Sequence, residues 1–129
     1  MKIQAVDHIQ VTTTSSRIDD VLYFYQQVMG LVPVAKPDVL AGNGGGWFQV
    51  GDQQLHVSIE KGDVADAAQS KRHICYRVDD LNHWQDHLDA KGVPWQPDHQ
   101  PIPGCVRLFL RDPAGNRIEL MQILCMNRA

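Results

Sequence analysis

The stretch Arg111-Asp-Pro-Ala-Gly-Asn-Arg-Ile-Glu-Leu-Met121 decides how the rest of the chain is read. Its centre is turn chemistry: proline presets φ, while glycine and asparagine accept the left-handed conformations that a tight connection needs. Ahead of it Val106, Leu108 and Leu110 alternate with Arg107, Phe109 and Arg111. Behind it Ile118 and Leu120 alternate with Arg117, Glu119 and Met121. Period-two alternation on both sides of a turn is the pattern of a β-hairpin. On its second strand Glu119 points away from the aliphatic face. An outward strand carboxylate is ordinarily solvated. Glu119 is, however, one of only two glutamates, the other being Glu60, and histidines occupy three matching positions elsewhere. That pattern favours a metal ligand.

Outward from the hairpin, composition sets the bounds. A chain of 129 residues is one domain by length and can bury a core without staples. An apolar fraction of 43% and a charged fraction of 21% describe an ordinary globule. The net charge of −3 leaves no basic footprint for nucleic acid. No apolar run approaches the ~20 residues of a membrane span. The opening residues enter a strand-like pattern directly, without the long apolar centre of a secretory signal. Cys75, Cys105 and Cys125 are odd in number and unpatterned, so reduced thiols and a cytoplasmic location are expected.

The chain says the same thing twice. Residues 6–12 have strand character, with His8, Gln10 and Thr12 opposite Ile9 and Val11. Thr13 to Ser16 supply N-cap candidates, and Ile18, Val21, Leu22, Tyr25, Val28 and Met29 follow at helical spacing up to Gly30. The glycines of 41–46 lack the Lys-Ser/Thr of a phosphate loop and precede a strand, so they are read as a hairpin connection. Short strands at 47–50 and 54–59 close the half, and 61–70 reads as a linker. The order then repeats: a strand over 72–78, a helix capped by Asp79-Asp80 and carrying Leu81, Trp84 and Leu88, then Gly92 and the closing hairpin. Gly30-Leu-Val-Pro33 and Gly92-Val-Pro94 mark the same place in each half. This duplication predicts an α+β domain of two βαβββ modules, about 1–62 and 70–129.

Duplication also supplies geometry for chemistry. His8 and His73 lie in the first strand of their halves, His56 and Glu119 in the last. Each sits on the less aliphatic face. If a pseudo-two-fold axis relates the halves, the four converge on one point. Three imidazoles and a carboxylate suit Zn²⁺, Ni²⁺, Fe²⁺ or Mn²⁺. Other candidates read blandly. His83 and His87 lie four apart on a helix but lack the glutamate of a His-Glu-x-x-His site. Trp47, Phe48 and Phe109 are first of all packing residues on strands beside the site, and Cys75 shares the His73 face.

Asp7-His8-Ile9, Phe24-Tyr25 with Gly30-Leu31, Gln54-Leu55-His56, Arg72-His73-Ile74 and the closing Asp112-Pro-x-Gly-Asn-Arg-Ile-Glu119-Leu together resemble the vicinal oxygen chelate superfamily. That group includes glyoxalase I, extradiol dioxygenases, fosfomycin-inactivating enzymes and bleomycin resistance proteins. The resemblance covers essentially the whole chain. It implies paired βαβββ modules forming a curved mixed sheet around a metal cleft, with helices outside. It places the metal ligands on His8, His73 and Glu119, and a fourth, variable ligand on His56, where glyoxalase I usually carries a carboxylate or amide. The implied function is a metal-dependent, glyoxalase-like lyase or isomerase acting on a small oxygenated metabolite, with Glu119 as proton carrier. A homodimer is also implied, in some relatives with sites shared between subunits. The alternatives within the same resemblance are an Fe²⁺ dioxygenase and a non-catalytic small-molecule binding protein of the drug-resistance type.

Overall fold

Segments with one aliphatic and one polar face can lie at the centre of a sheet that is covered on one side only. The segments around His56 and Glu119 do so in the computed structural model, which describes residues 1–62 and 65–124. The chain divides into two compact units, Met1–Asp66 and Ala67–Ala129. In the first, strand β1 (His8–Thr13) is followed by helix α1 (Ile18–Tyr23). Strands β2 (Val32–Val34), β3 (Gly46–Val50) and β4 (Gln53–Ile59) complete it in the sheet order β1-β4-β3-β2. In the second, β5 (His73–Arg77) and α2 (Leu81–Ala90) precede β6 (Gln96–Pro97), β7 (Cys105–Arg111) and β8 (Arg117–Ile123). Their order is β5-β8-β7-β6. The first strand of each unit runs parallel to the last, and the remaining pairs are antiparallel. Each unit is therefore a βαβββ module, and the α+β reading holds.

The aliphatic faces build the cores. Phe48, Leu55 and Val57 are buried in the first unit together with Val21, Phe24, Tyr25 and Val28. In the second, Leu108, Leu110, Ile118 and Leu120 are buried, as are Leu81 and Leu88 of α2, which packs on β7 and β8. Asp80 caps α2 by accepting from the His83 backbone N–H at 3.2 Å.

Two local details differ from the expectation. The helical stripe of 18–29 is not one α-helix: a π turn spans Phe24–Val28, with the Met29 N–H donating to the Phe24 carbonyl at 2.9 Å. The turn still buries Phe24, Tyr25 and Val28, so the stripe faces the core as expected. The presumed linker carries a short 3₁₀ helix, Ala65–Gln69. Of the three cysteines, Cys105 is a buried free thiol, Cys75 lies on β5, and Cys125 lies outside the described residues.

Asp112, expected only as a turn former, is buried at the centre of the closing turn. Its Oδ1 accepts from the Ala114 and Asn116 backbone N–H groups at 2.9 and 3.0 Å, and its Oδ2 from the Asn116 amide at 2.9 Å. Hydrogen bonds to a charged acceptor contribute about 1.5–3 kcal/mol each in the favourable cases. Asp112→Ala is expected to lower stability by about 3 kcal/mol in urea unfolding, and Asp112→Asn by clearly less. Equal losses in the two variants would show that volume, not the acceptor set, matters there.

Candidate metal centre

Register places chemistry at equivalent points of the two sheets. In the first unit His8 pairs with Gln54, and Gln10 with His56. In the second His73 pairs with Arg117, and Cys75 with Glu119. The neighbouring strand sets an aromatic ring opposite each last-strand residue: Trp47 beside His56, Phe109 beside Glu119. Thus His8 and His56 share one face of one sheet, and His73 and Glu119 share the corresponding face of the other.

In the first unit the rings form a stack. Trp47 lies 3.8 Å from His56 with 1° between the ring planes, and His8 lies 4.2 Å from His56 at 15°. Stacking fixes both imidazoles. Asp7 Oδ2 sits 2.9 Å from His8 Nδ1, so Nδ1 donates there and Nε2 is the ring nitrogen outside that bond. Gln54 Oε1 lies 2.9 Å from His56 Nε2, which leaves the His56 lone pair on Nδ1. Burial, then the adjacent His8, hold His56 below the ordinary histidine pKa, against an opposing pull from Asp7. Its neutral form, the form that ligates metals, is favoured.

In the second unit the Glu119 carboxylate is buried, with its side chain 9% exposed. Glu119 Oε1 lies 3.1 Å from His73 Nε2, and Cys75 Sγ–H donates to Oε2 at 3.2 Å. Arg107 Nη1 is 3.8 Å from Oε1. Arg107 is itself clamped by Asp98 through two bonds of 2.9 and 3.1 Å. That pairing holds the Asp98 carboxyl below its ordinary pKa and raises that of Arg107. A cavity of about 910 Å³ opens over this face, lined among others by Glu119, His73, Phe109 and Trp95.

The His73–Glu119 pair is compatible with a metal. His73 Nδ1 lies 2.9 Å from the Lys71 carbonyl and must carry the hydrogen. Nε2 is thereby the nitrogen that faces the carboxylate, and the 3.1 Å between them is the spacing either of an imidazolium–carboxylate hydrogen bond or of two groups that share a cation.

Within either unit, no group of three or more His, Cys, Asp or Glu side chains able to share a metal occurs among the described residues. Each unit brings together one pair of the predicted quartet. His83 and His87 remain on α2 with no such group, His83 lying 3.6 Å from Asp80. Phe48 went to the core as expected of a packing residue, whereas Trp47 and Phe109 border the His8–His56 and His73–Glu119 pairs. Sequence reasoning quoted Gln54 beside His56 without giving it a role, and missed Asp98 and the Lys71 carbonyl. Gln54 stands two residues before His56 and was legible by alternation; Asp98 and Lys71 are reached only through the fold.

Residues 5–120 match the family described as the Glyoxalase/Bleomycin resistance protein/Dioxygenase superfamily. The chain belongs to that superfamily. A glyoxalase family protein from Bacillus anthracis superposes with a TM-score of 0.85 at 30% identity, over 95% of this chain and 98% of that one. Lactoylglutathione lyase from Agrobacterium tumefaciens gives 0.70 at 22% identity, over 94% and 95% of the two chains. A genomically encoded fosfomycin resistance protein from Listeria monocytogenes, solved with Mn(II) and 1S,2S-dihydroxypropylphosphonic acid, gives 0.78 at 13% identity, over 94% and 93%. At such identities the last two speak for the fold alone. No curated protein matches the chain by sequence. Among the described residues, no helix of this superfamily member is long and apolar enough to cross a membrane.

Proposed function

We propose that this superfamily member is a metal-dependent enzyme, a glyoxalase-like lyase or isomerase acting on a small oxygenated metabolite, and that it works as a homodimer. The ligand set is His8, His56, His73 and Glu119, holding Zn²⁺, Ni²⁺, Fe²⁺ or Mn²⁺. The observation that carries this reading is the buried Glu119 carboxylate facing His73 Nε2 at 3.1 Å while His73 Nδ1 is committed to Lys71. A bound ion supplies Lewis acidity toward a carbonyl or enediolate oxygen. The chain's own residues do the rest. Phe109 and Trp95 shelter the reacting group from water within the cavity. Glu119 Oε2, steadied by the Cys75 thiol, is the oxygen that takes and returns the substrate proton.

Elemental analysis after anaerobic reconstitution is expected to find about one divalent ion per chain. Screening aldehyde–thiol adducts and epimerisable acids with each metal then tests turnover. Oxygen uptake seen only with Fe²⁺ would assign the chain to the dioxygenases. A non-catalytic small-molecule binder is the second reading, favoured by the aromatic and cationic lining of the same cavity. Failure to bind any of the four ions at about micromolar affinity would establish it over the enzyme.

A further inference from the structure

The two sheets carry equivalent faces of different charge. Beside His8 and His56 in the first unit, register places Gln49 opposite Gln54 and Thr12 opposite Ser58, all uncharged. The equivalent positions beside His73 and Glu119 are Arg111 opposite Arg117, and Arg77 opposite Met121. Three neutral side chains of one face, Gln49, Gln54 and Thr12, are thus matched by arginines on the other.

The cavity over that second face concentrates the difference. Lys71, Arg107, Arg111 and Arg117 line it against Asp98 and Glu119, a positive excess in a chain of net charge −3. Not every cation is available. Arg107 is neutralised by Asp98, and Arg111 donates to the carbonyls of Ala67, Gly115 and Ser70 at 2.9–3.1 Å. Arg117 is different. Its guanidinium lies over the Phe109 ring at 4.4 Å and has no hydrogen-bond or carboxylate partner among the described residues. A ring face holds the plane of a guanidinium and leaves its N–H edge open, the geometry that grips an oxyanion through two parallel bonds.

We propose that Arg117, supported by Lys71, is the subsite for an oxyanion of the substrate, so that the metabolite carries a carboxylate or phosphonate group near its reacting oxygens. This rests on the reading of the Glu119 face as the substrate side. Arg117 sits two residues before Glu119 on the same face of β8, so the anion is held about one side-chain spacing from the ligand pair.

Metal-free, chelator-treated protein separates this subsite from the metal. Methylphosphonate and acetate are titrated while arginine Nε–H resonances are followed by NMR, with acetamide as the neutral comparison. The Arg117 resonance is expected to shift saturably with at least one of the two anions, and which of them binds tighter distinguishes phosphonate from carboxylate. Acetamide should leave it in place. Arg117→Gln should weaken anion binding about tenfold or more, the loss expected of a charge-assisted pair, and Arg117→Lys by less. Arg77→Gln, whose arginine is exposed and outside the cavity lining, should change little. Metal uptake by Arg117→Gln should match wild type, so a failure of the metal reading stays distinct. No saturable shift in wild type, or an Arg117→Gln affinity within about twofold of wild type, would overturn the assignment.

Discussion

Glu119→Gln is expected to lose its metal and with it essentially all turnover. The substitution keeps volume and leaves an amide oxygen in place, but removes the only negative charge of the proposed ligand set. Losing an outer partner of a ligand commonly costs about 10–100-fold in metal affinity, and losing a ligand itself should exceed that. His56→Gln should cost less. His56 is stacked on Trp47 and tied to Gln54, and its position corresponds to the variable ligand of the superfamily resemblance. Folding should survive in both variants, because a glutamine amide in place of the Glu119 carboxylate still fills the space beside Cys75 and His73. Zn²⁺ titration into both proteins, with melting curves as a folding control, checks this. If His56→Gln loses metal while Glu119→Gln keeps it, the ligand assignment is wrong.

Gly45→Ala is expected to be severely damaging for a single added methyl. Gly45 has φ +77°, and a Cβ built there would lie 2.1 Å from the Val57 carbonyl oxygen. That oxygen cannot retreat. Val57 belongs to β4, which is hydrogen-bonded to β1 through Val11 and to β3 through Gly46. Moving the strand breaks two ladders and displaces His56 beside it. Backbone strain plus lost ladder bonds should cost more than about 3 kcal/mol, a large share of the roughly 5–15 kcal/mol of an ordinary domain. Gly42→Ala is the comparison, since a Cβ at Gly42 meets nothing within 4 Å. Thermal melts should show Gly42→Ala near wild type and Gly45→Ala far below it or insoluble. Equal melting of the two would mean that β4 yields more easily than its position implies.

The glycine segment shows how far local reading reaches. Its composition announces a connection between strands, and the 3₁₀ helix Asp38–Asn43 followed by the turn at Gly44 and Gly45 is one. Which glycine is indispensable depends on Val57, twelve residues further on, and no local rule points there. The π turn at Phe24–Val28 is a similar case. The apolar stripe predicts a helix, and its α-like spacing gives no sign of the wider turn.

By itself the sequence determined the βαβββ repeat, the polar face that carries each candidate ligand, and the hairpin that presents Glu119. These follow from periods of two and 3.6 residues and from turn chemistry, which act between near neighbours and so are written locally. Tertiary structure alone decided which atoms meet. Strand register put His56 beside Trp47 and Glu119 beside Phe109. A backbone carbonyl at Lys71 chose the His73 tautomer, and Asp98 took Arg107 out of play while Arg117 was left open. Those outcomes depend on pairings between distant segments and on burial of a single carboxylate, to which alternation along one strand is blind.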